Sequence, residues 1–147
     1  METGRFSAEM PTILRGAREA ALRLGQDYIG TEHLLIGLLD ENGKGAALLG
    51  FLVDIDAVRK RVDSMVSPRP GMPLETSENL PLTRQAETVI RSAASEAVRF
   101  GNGEVGSAHV LLALVKGGHL GAQILQSLAI SAEQVETLLE KEKPQGE

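Results

Sequence analysis

Gly30-Thr31-Glu32-His33-Leu34-Leu35-Ile36-Gly37-Leu38 returns, 76 residues further on, as Gly106-Ser107-Ala108-His109-Val110-Leu111-Leu112-Ala113-Leu114. Working outward at the same offset, Ala21-Leu22-Arg23-Leu24-Gly25 aligns with Ala97-Val98-Arg99-Phe100-Gly101. Gly45-Ala46 aligns with Gly121-Ala122, and Ser7 with Thr83. Near Ile55 and Ile130 the register slips by one residue. An offset held over nearly half the chain marks a duplicated unit, and it organises every other reading.

Each unit reads as four helices. In the first, Ile13, Ala17, Ala20, Ala21 and Leu24 form one stripe at helical spacing, which predicts a helix over about 8–24. Ser7 is its expected cap, Pro11 falls in the first turn where little hydrogen bonding is lost, and Gly25 is the expected left-handed stop. Thr31 is expected to cap a second helix over about 31–40. A third spans about 44–52, and Asp56 is expected to cap a fourth that ends near Val66. The second unit repeats the plan: Thr83 caps a helix over about 84–100, Ser107 the next, and Ser131 the last, with a short helix over about 120–128 between. No sustained period-two alternation of β-branched residues occurs, so strands are not expected. Residues 67–82 read as a linker, with three of the six Pro between Ser67 and Asn79. The division is therefore 1–66, a linker 67–82, and 83–147 with a short tail. Four short Ala-rich helices bury little surface alone. The expected fold is all-α: two four-helix repeats related by a pseudo-twofold axis and packed as one eight-helix domain.

Composition narrows the function. Hydrophobic residues make up 42% and aromatic residues only 3%, so the core must be built from Leu, Ala, Val and Ile. The absence of Cys excludes a disulfide framework, a thiolate zinc site and a cysteine nucleophile. A net charge of -5 gives no electrostatic footprint for nucleic acid. No segment approaches the roughly 20 apolar residues of a membrane-spanning helix, and the start of the chain lacks a signal-peptide run. A cytoplasmic protein that contacts neither nucleic acid nor membrane is expected.

Catalytic motifs are scarce. Gly37 to Lys44 superficially suggests a phosphate loop, but five residues rather than four separate Gly37 from Gly43, and Gly45 stands where Ser or Thr should meet magnesium. His33 and His109 occupy equivalent first-turn positions and are expected to be structural, each bonding a neighbouring loop. His119, in a glycine turn, is expected to face solvent. A small helical enzyme using Glu32 and His33 is the rival from another class. No cofactor and no metal are expected. Ser7 and Thr83 sit at helix starts, where free N–H groups and the positive dipole end favour anions. An acid beside such a start suits a ligand that joins a phosphate to a guanidinium.

These residues also carry a family resemblance. Gly4-Arg5-Phe6-Ser7, Glu19-Ala20-Ala21-Leu22-Arg23-Leu24-Gly25 and Ile29-Gly30-Thr31-Glu32-His33-Leu34-Leu35-Ile36-Gly37-Leu38 resemble the N-terminal domain of Clp/Hsp100 ATPases, nearest the ClpC type. The resemblance covers nearly the whole chain. It implies a non-catalytic module that sits on an unfoldase ring and binds adaptor proteins or protein substrates, including proteins marked with phosphoarginine. In that setting Glu32 pairs with the guanidinium while Ser7, and Thr83 in the second unit, hold phosphate. Ala108 stands where the second acid belongs, so one usable site rather than two is expected. The implied partners are adaptors, substrates, and the Clp unfoldase ring or peptidase subunits. An excised domain and a freestanding accessory subunit that stabilises or regulates a Clp protease core fit the chain equally.

Overall fold

The computed structural model describes residues 5–67 and 80–142. These form eight helices and two two-residue strands. In chain order they are β1 (Arg5–Phe6), α1 (Glu9–Arg23), α2 (Thr31–Glu41), α3 (Lys44–Leu52), α4 (Ile55–Met65), α5 (Arg84–Arg99), β2 (Glu104–Val105), α6 (Ser107–Lys116), α7 (Leu120–Ser127) and α8 (Ala132–Glu142). The fold is all-α, as the repeat predicts.

Two helices form the centre. Every residue from Thr31 to Leu39 in α2 is buried, and so is every residue from Ser107 to Val115 in α6. Helices apolar on all sides belong inside a fold. Around them the other six are amphipathic, with one buried stripe each. In α1 that stripe is Met10, Ile13, Ala17, Ala20 and Ala21; in α5 it is Ala86, Val89, Ala93 and Ala97. One continuous apolar cluster draws on both units. Each leucine buried in it contributes roughly 1.5–3 kcal/mol.

Contacts between the units obey the pseudo-twofold. Ser107 Oγ accepts the Gly45 N–H at 2.7 Å, and Thr31 Oγ1 accepts the Gly121 N–H at 2.9 Å. A Cβ on Gly45 would lie 2.6 Å from the Ser107 carbonyl oxygen, so only glycine admits this approach. The strands are part of the same clasp. Phe6 pairs in parallel with Val105, and at the equivalent place Leu82 bridges Ile29. The Ser7 N–H donates to the Val105 carbonyl, and the Thr83 N–H to the Ile29 carbonyl, each at 2.9 Å. Pro81 and Leu82, expected as linker, are thus held against the first unit. Most of the linker, residues 68–79, lies outside the described residues, as do residues 1–4 and 143–147.

Several helix ends match expectation. Gly25 and Gly101 adopt left-handed conformations with φ of 75° and 71°. Thr83 Oγ1 accepts the Ala86 N–H at 3.0 Å, and Ser131 and Gln134 exchange side-chain bonds with each other's backbone N–H. Ser7, the expected cap of α1, sits one residue before the cap position, which is Ala8, though its Oγ still accepts the Glu9 N–H at 3.1 Å. Three further expected caps differ. Asp54, not Asp56, caps α4, because its carboxylate accepts the Asp56 N–H. Thr31 and Ser107 are the first helical residues rather than caps; Gly30 and Gly106 precede their helices. There the third helical residue works back on the cap: His33 Nδ1 accepts the Gly30 N–H at 2.8 Å, and His109 Nδ1 accepts the Gly106 N–H at 2.9 Å. That frees the two hydroxyls for the clasp.

Candidate functional site

Ser7, Glu32 and Thr83 lie at helix starts, but their grouping crosses the repeat. The parallel pair Phe6–Val105 carries Ser7 to the start of α6, in the other unit. A cleft of about 690 Å³ opens there, lined by Ser7, Glu9, Lys44, Asn102, Ala108 and His109 among others. Glu32 does not line it. Thr83, held to Ile29, lies one residue from the Gly30 cap that begins α2 and carries Glu32. The resemblance groups Ser7 with Glu32, whereas the structure places Thr83 beside the helix start that carries Glu32, and Ser7 in one cleft with Ala108. Repeat register shows which residues are equivalent, whereas here the neighbours come from the opposite copy.

Glu32 is 6% exposed. Burial pushes its carboxyl above the usual carboxylate range, and a hydrogen bond from its own backbone N–H pulls partly back. His33 behind it is fully buried. With Nδ1 accepting the Gly30 N–H, the ring proton sits on Nε2 and is donated to Gln26 Oε1. Burial, assisted by the charge of Arg23, lowers its pKa to about 4, so it stays neutral. His109 repeats the arrangement with Asn102 Oδ1 at 2.8 Å, and burial lowers its pKa too. Both histidines are structural pins, bonded on both ring nitrogens, with no hydrogen-bonding atom left for acid–base work. His119 differs from expectation. It is only 8% exposed, and Nδ1 accepts the Ala122 N–H, capping α7. Among the described residues no group of three His, Asp or Glu side chains could hold a metal ion.

The sequence reading passed over Glu9. It lies in the first turn of α1, yet Glu9 Oε1 accepts the Ser107 N–H at 2.6 Å. Its only sequence signal is an acid two residues after Ser7, and nothing local says that it crosses to the other unit. A separate candidate surface is Phe51 on α3, 76% exposed.

Residues 5–128 and 81–146 match the Clp repeat (R) N-terminal domain in two overlapping stretches. The chain belongs to this family. Within it, the chain is 36% identical over 135 residues to the negative regulator of genetic competence ClpC/MecB of Bacillus subtilis, a match covering 89% of this chain and 16% of that relative. The chain thus spans about a sixth of the length of that Clp relative. Among solved structures, the N-terminal domain of the ClpD chaperone from Arabidopsis thaliana superposes with a TM-score of 0.72 at 20% identity, over 96% of each chain. The N-terminal domain of the ClpV1 ATPase from E. coli does so with a TM-score of 0.70 at 24% identity, over 91% of this chain and 83% of that one. These superpositions show that the Clp N-domain fold is shared. No single helix among the described residues is long and apolar enough to cross a membrane; α6 and α7 pass together by composition but meet at 88°.

Proposed function

We propose that this Clp N-domain is a non-catalytic recognition module of a cytoplasmic ATP-dependent unfoldase, binding adaptors and protein substrates, including proteins that carry phosphoarginine. The supporting observation is the juxtaposition of Thr83 with the Gly30–Glu32 start of α2, through the 2.9 Å bond from the Thr83 N–H to the Ile29 carbonyl. A hydroxyl and the start of α5 stand on one side, suited to phosphate. A carboxylate stands on the other, suited to a guanidinium. The neutral, doubly bonded His33 fixes the helix start that carries the acid. Thr83 is the phosphate-side group of this site, Glu32 its acid, and Ser7 the phosphate-side group of the equivalent site.

Titration calorimetry of the chain with free phosphoarginine tests the reading. Binding is expected, and Glu32→Ala weakens the Glu32 site about ten- to a hundredfold, the worth of a charge-assisted hydrogen bond of about 1.5–3 kcal/mol. No binding by the unaltered chain contradicts the phosphoarginine reading. If the chain also shows no affinity for adaptors yet co-purifies with peptidase subunits, the accessory role replaces it.

A further inference from the structure

The second unit has alanine where the first has its acid, yet a carboxylate stands at the same place. A Cβ added to Gly30 would lie 2.6 Å from Glu32 Oε1; one added to Gly106, its repeat equivalent, would lie 2.6 Å from Glu9 Oε1. Two oxygens from unrelated sequence positions thus lie equally close to equivalent glycines before α2 and α6. The 2.6 Å bond from the Ser107 N–H holds the second in position. At the repeat position of Glu9 the second unit has Gln85, so the Glu32 site receives no carboxylate from that position.

We propose that Glu9 is the guanidinium-pairing acid of the cleft at Ser7 and Ala108, replacing across the unit boundary the acid that Ala108 lacks. The proposal rests on the recognition reading above and adds to it a second working site with its own acid. Glu9 is partly exposed at the cleft wall, whereas Glu32 is buried. A carboxylate offers about four lone-pair directions. The Ser107 N–H takes one, which leaves capacity for the paired N–H groups of a guanidinium. Ser7 Oγ lies 3.6 Å from the same Gly106 Cβ point, and Lys44 lines the cleft. A hydroxyl therefore stands beside the acid, an arrangement that suits a phosphate carried on a guanidinium. Glu104 also lines the cleft and reinforces its preference for the cationic end. The negative charge of Glu9 is felt nearby: after burial, it is what raises the Glu41 carboxyl above its usual range.

The test counts sites by calorimetry of the full chain with free phosphoarginine. Two sites are expected. Glu9→Gln weakens one of them about ten- to a hundredfold and leaves the other, which Glu32→Gln then weakens in turn. Glutamine keeps an acceptor for the Ser107 N–H, so the fold is retained, as a thermal melt verifies. Adding Ala108→Glu to the Glu9→Gln chain restores the lost site, a rescue that damage to packing does not produce. If Glu9→Gln titrates like the unaltered chain, the proposal is overturned. Should that unaltered behaviour be one site lost through Glu32→Gln, the recognition reading survives without the Glu9 site. No binding by the unaltered chain overturns both.

Discussion

At the start of α2 the carboxylate comes from the second residue of the helix itself, Glu32. At the start of α6 it comes from Glu9, on another helix and 98 residues from the Ser107 N–H that it binds. Gly30 and Gly106, His33 and His109, and Thr31 and Ser107 do the same work at both places. A carboxylate thus stands near both helix starts, supplied by residues that are not repeat equivalents. Glu9 can supply the second because the two units clasp: α1 of the first unit begins beside α6 of the second, so a side chain at its first turn reaches across.

The clasp makes the units interdependent, and cutting it should have the largest effect. A fragment of residues 1–67 keeps α1–α4 but leaves Ile29, Thr31 and Gly45 without Leu82, Gly121 and Ser107. It should expose apolar surface, bind a hydrophobic dye and lose cooperative unfolding. A fragment that melts cooperatively at the midpoint of the whole chain breaks the comparison at its base.

Within the units, α1 and α2 meet more tightly than a side chain allows. A Cβ on Gly37 would lie 2.2 Å from the Ile13 carbonyl oxygen and 2.9 Å from the Ala17 nitrogen. Backbone atoms cannot step aside, so Gly37→Ala should cost about 3 kcal/mol in urea unfolding. Its repeat equivalent is Ala113, and Ala113→Gly should cost about 1 kcal/mol, mostly helix propensity. Equal losses would show that the helix pairs pack alike.

A further expected effect is on pH. His33 falls from 6.5 to about 4 on folding. Between those values the unfolded chain binds more protons, so stability present above pH 6.5 is lost as pH falls towards 4. Full expression is on the order of 3 kcal/mol. His109, also lowered, acts in the same direction. The raised carboxyl of Glu32 acts oppositely, because above 4.5 its folded form holds the proton more tightly, and it trims the loss. Urea unfolding at pH 7 and pH 4.5 should show lower stability at the acidic value, with a shallower dependence in His33→Gln. A flat profile contradicts the buried neutral pin.

The repeat, the helix spans and the glycine stops were legible because period and turn chemistry are local properties of the chain. The cap of α4 was missed by two residues because Asp54 and Asp56 present the same side chain at adjacent candidate positions. The glycine caps were legible in principle: a histidine three residues after Gly30 and again after Gly106 is a side chain positioned to accept the cap N–H. The crossed grouping was not legible. Periodicity states equivalence and not adjacency, and the strand pairs that bring Ser7 to α6 and Thr83 to α2 are two residues or fewer, too short for any alternation to announce them. Glu9 escaped for the same reason, and His119 because a glycine turn reads as exposed when the imidazole in fact folds back to cap α7.

The most direct test of the whole account is an amide NMR titration of the intact chain with phosphoarginine. The account predicts two separate groups of shifting signals, one at Thr83 with Gly30 to Glu32, the other at Ser7 and Glu9 with Gly106 to Ala108. Shifts joining Ser7 to Glu32 in one saturating group, or confined to the exposed surface around Phe51, would contradict it.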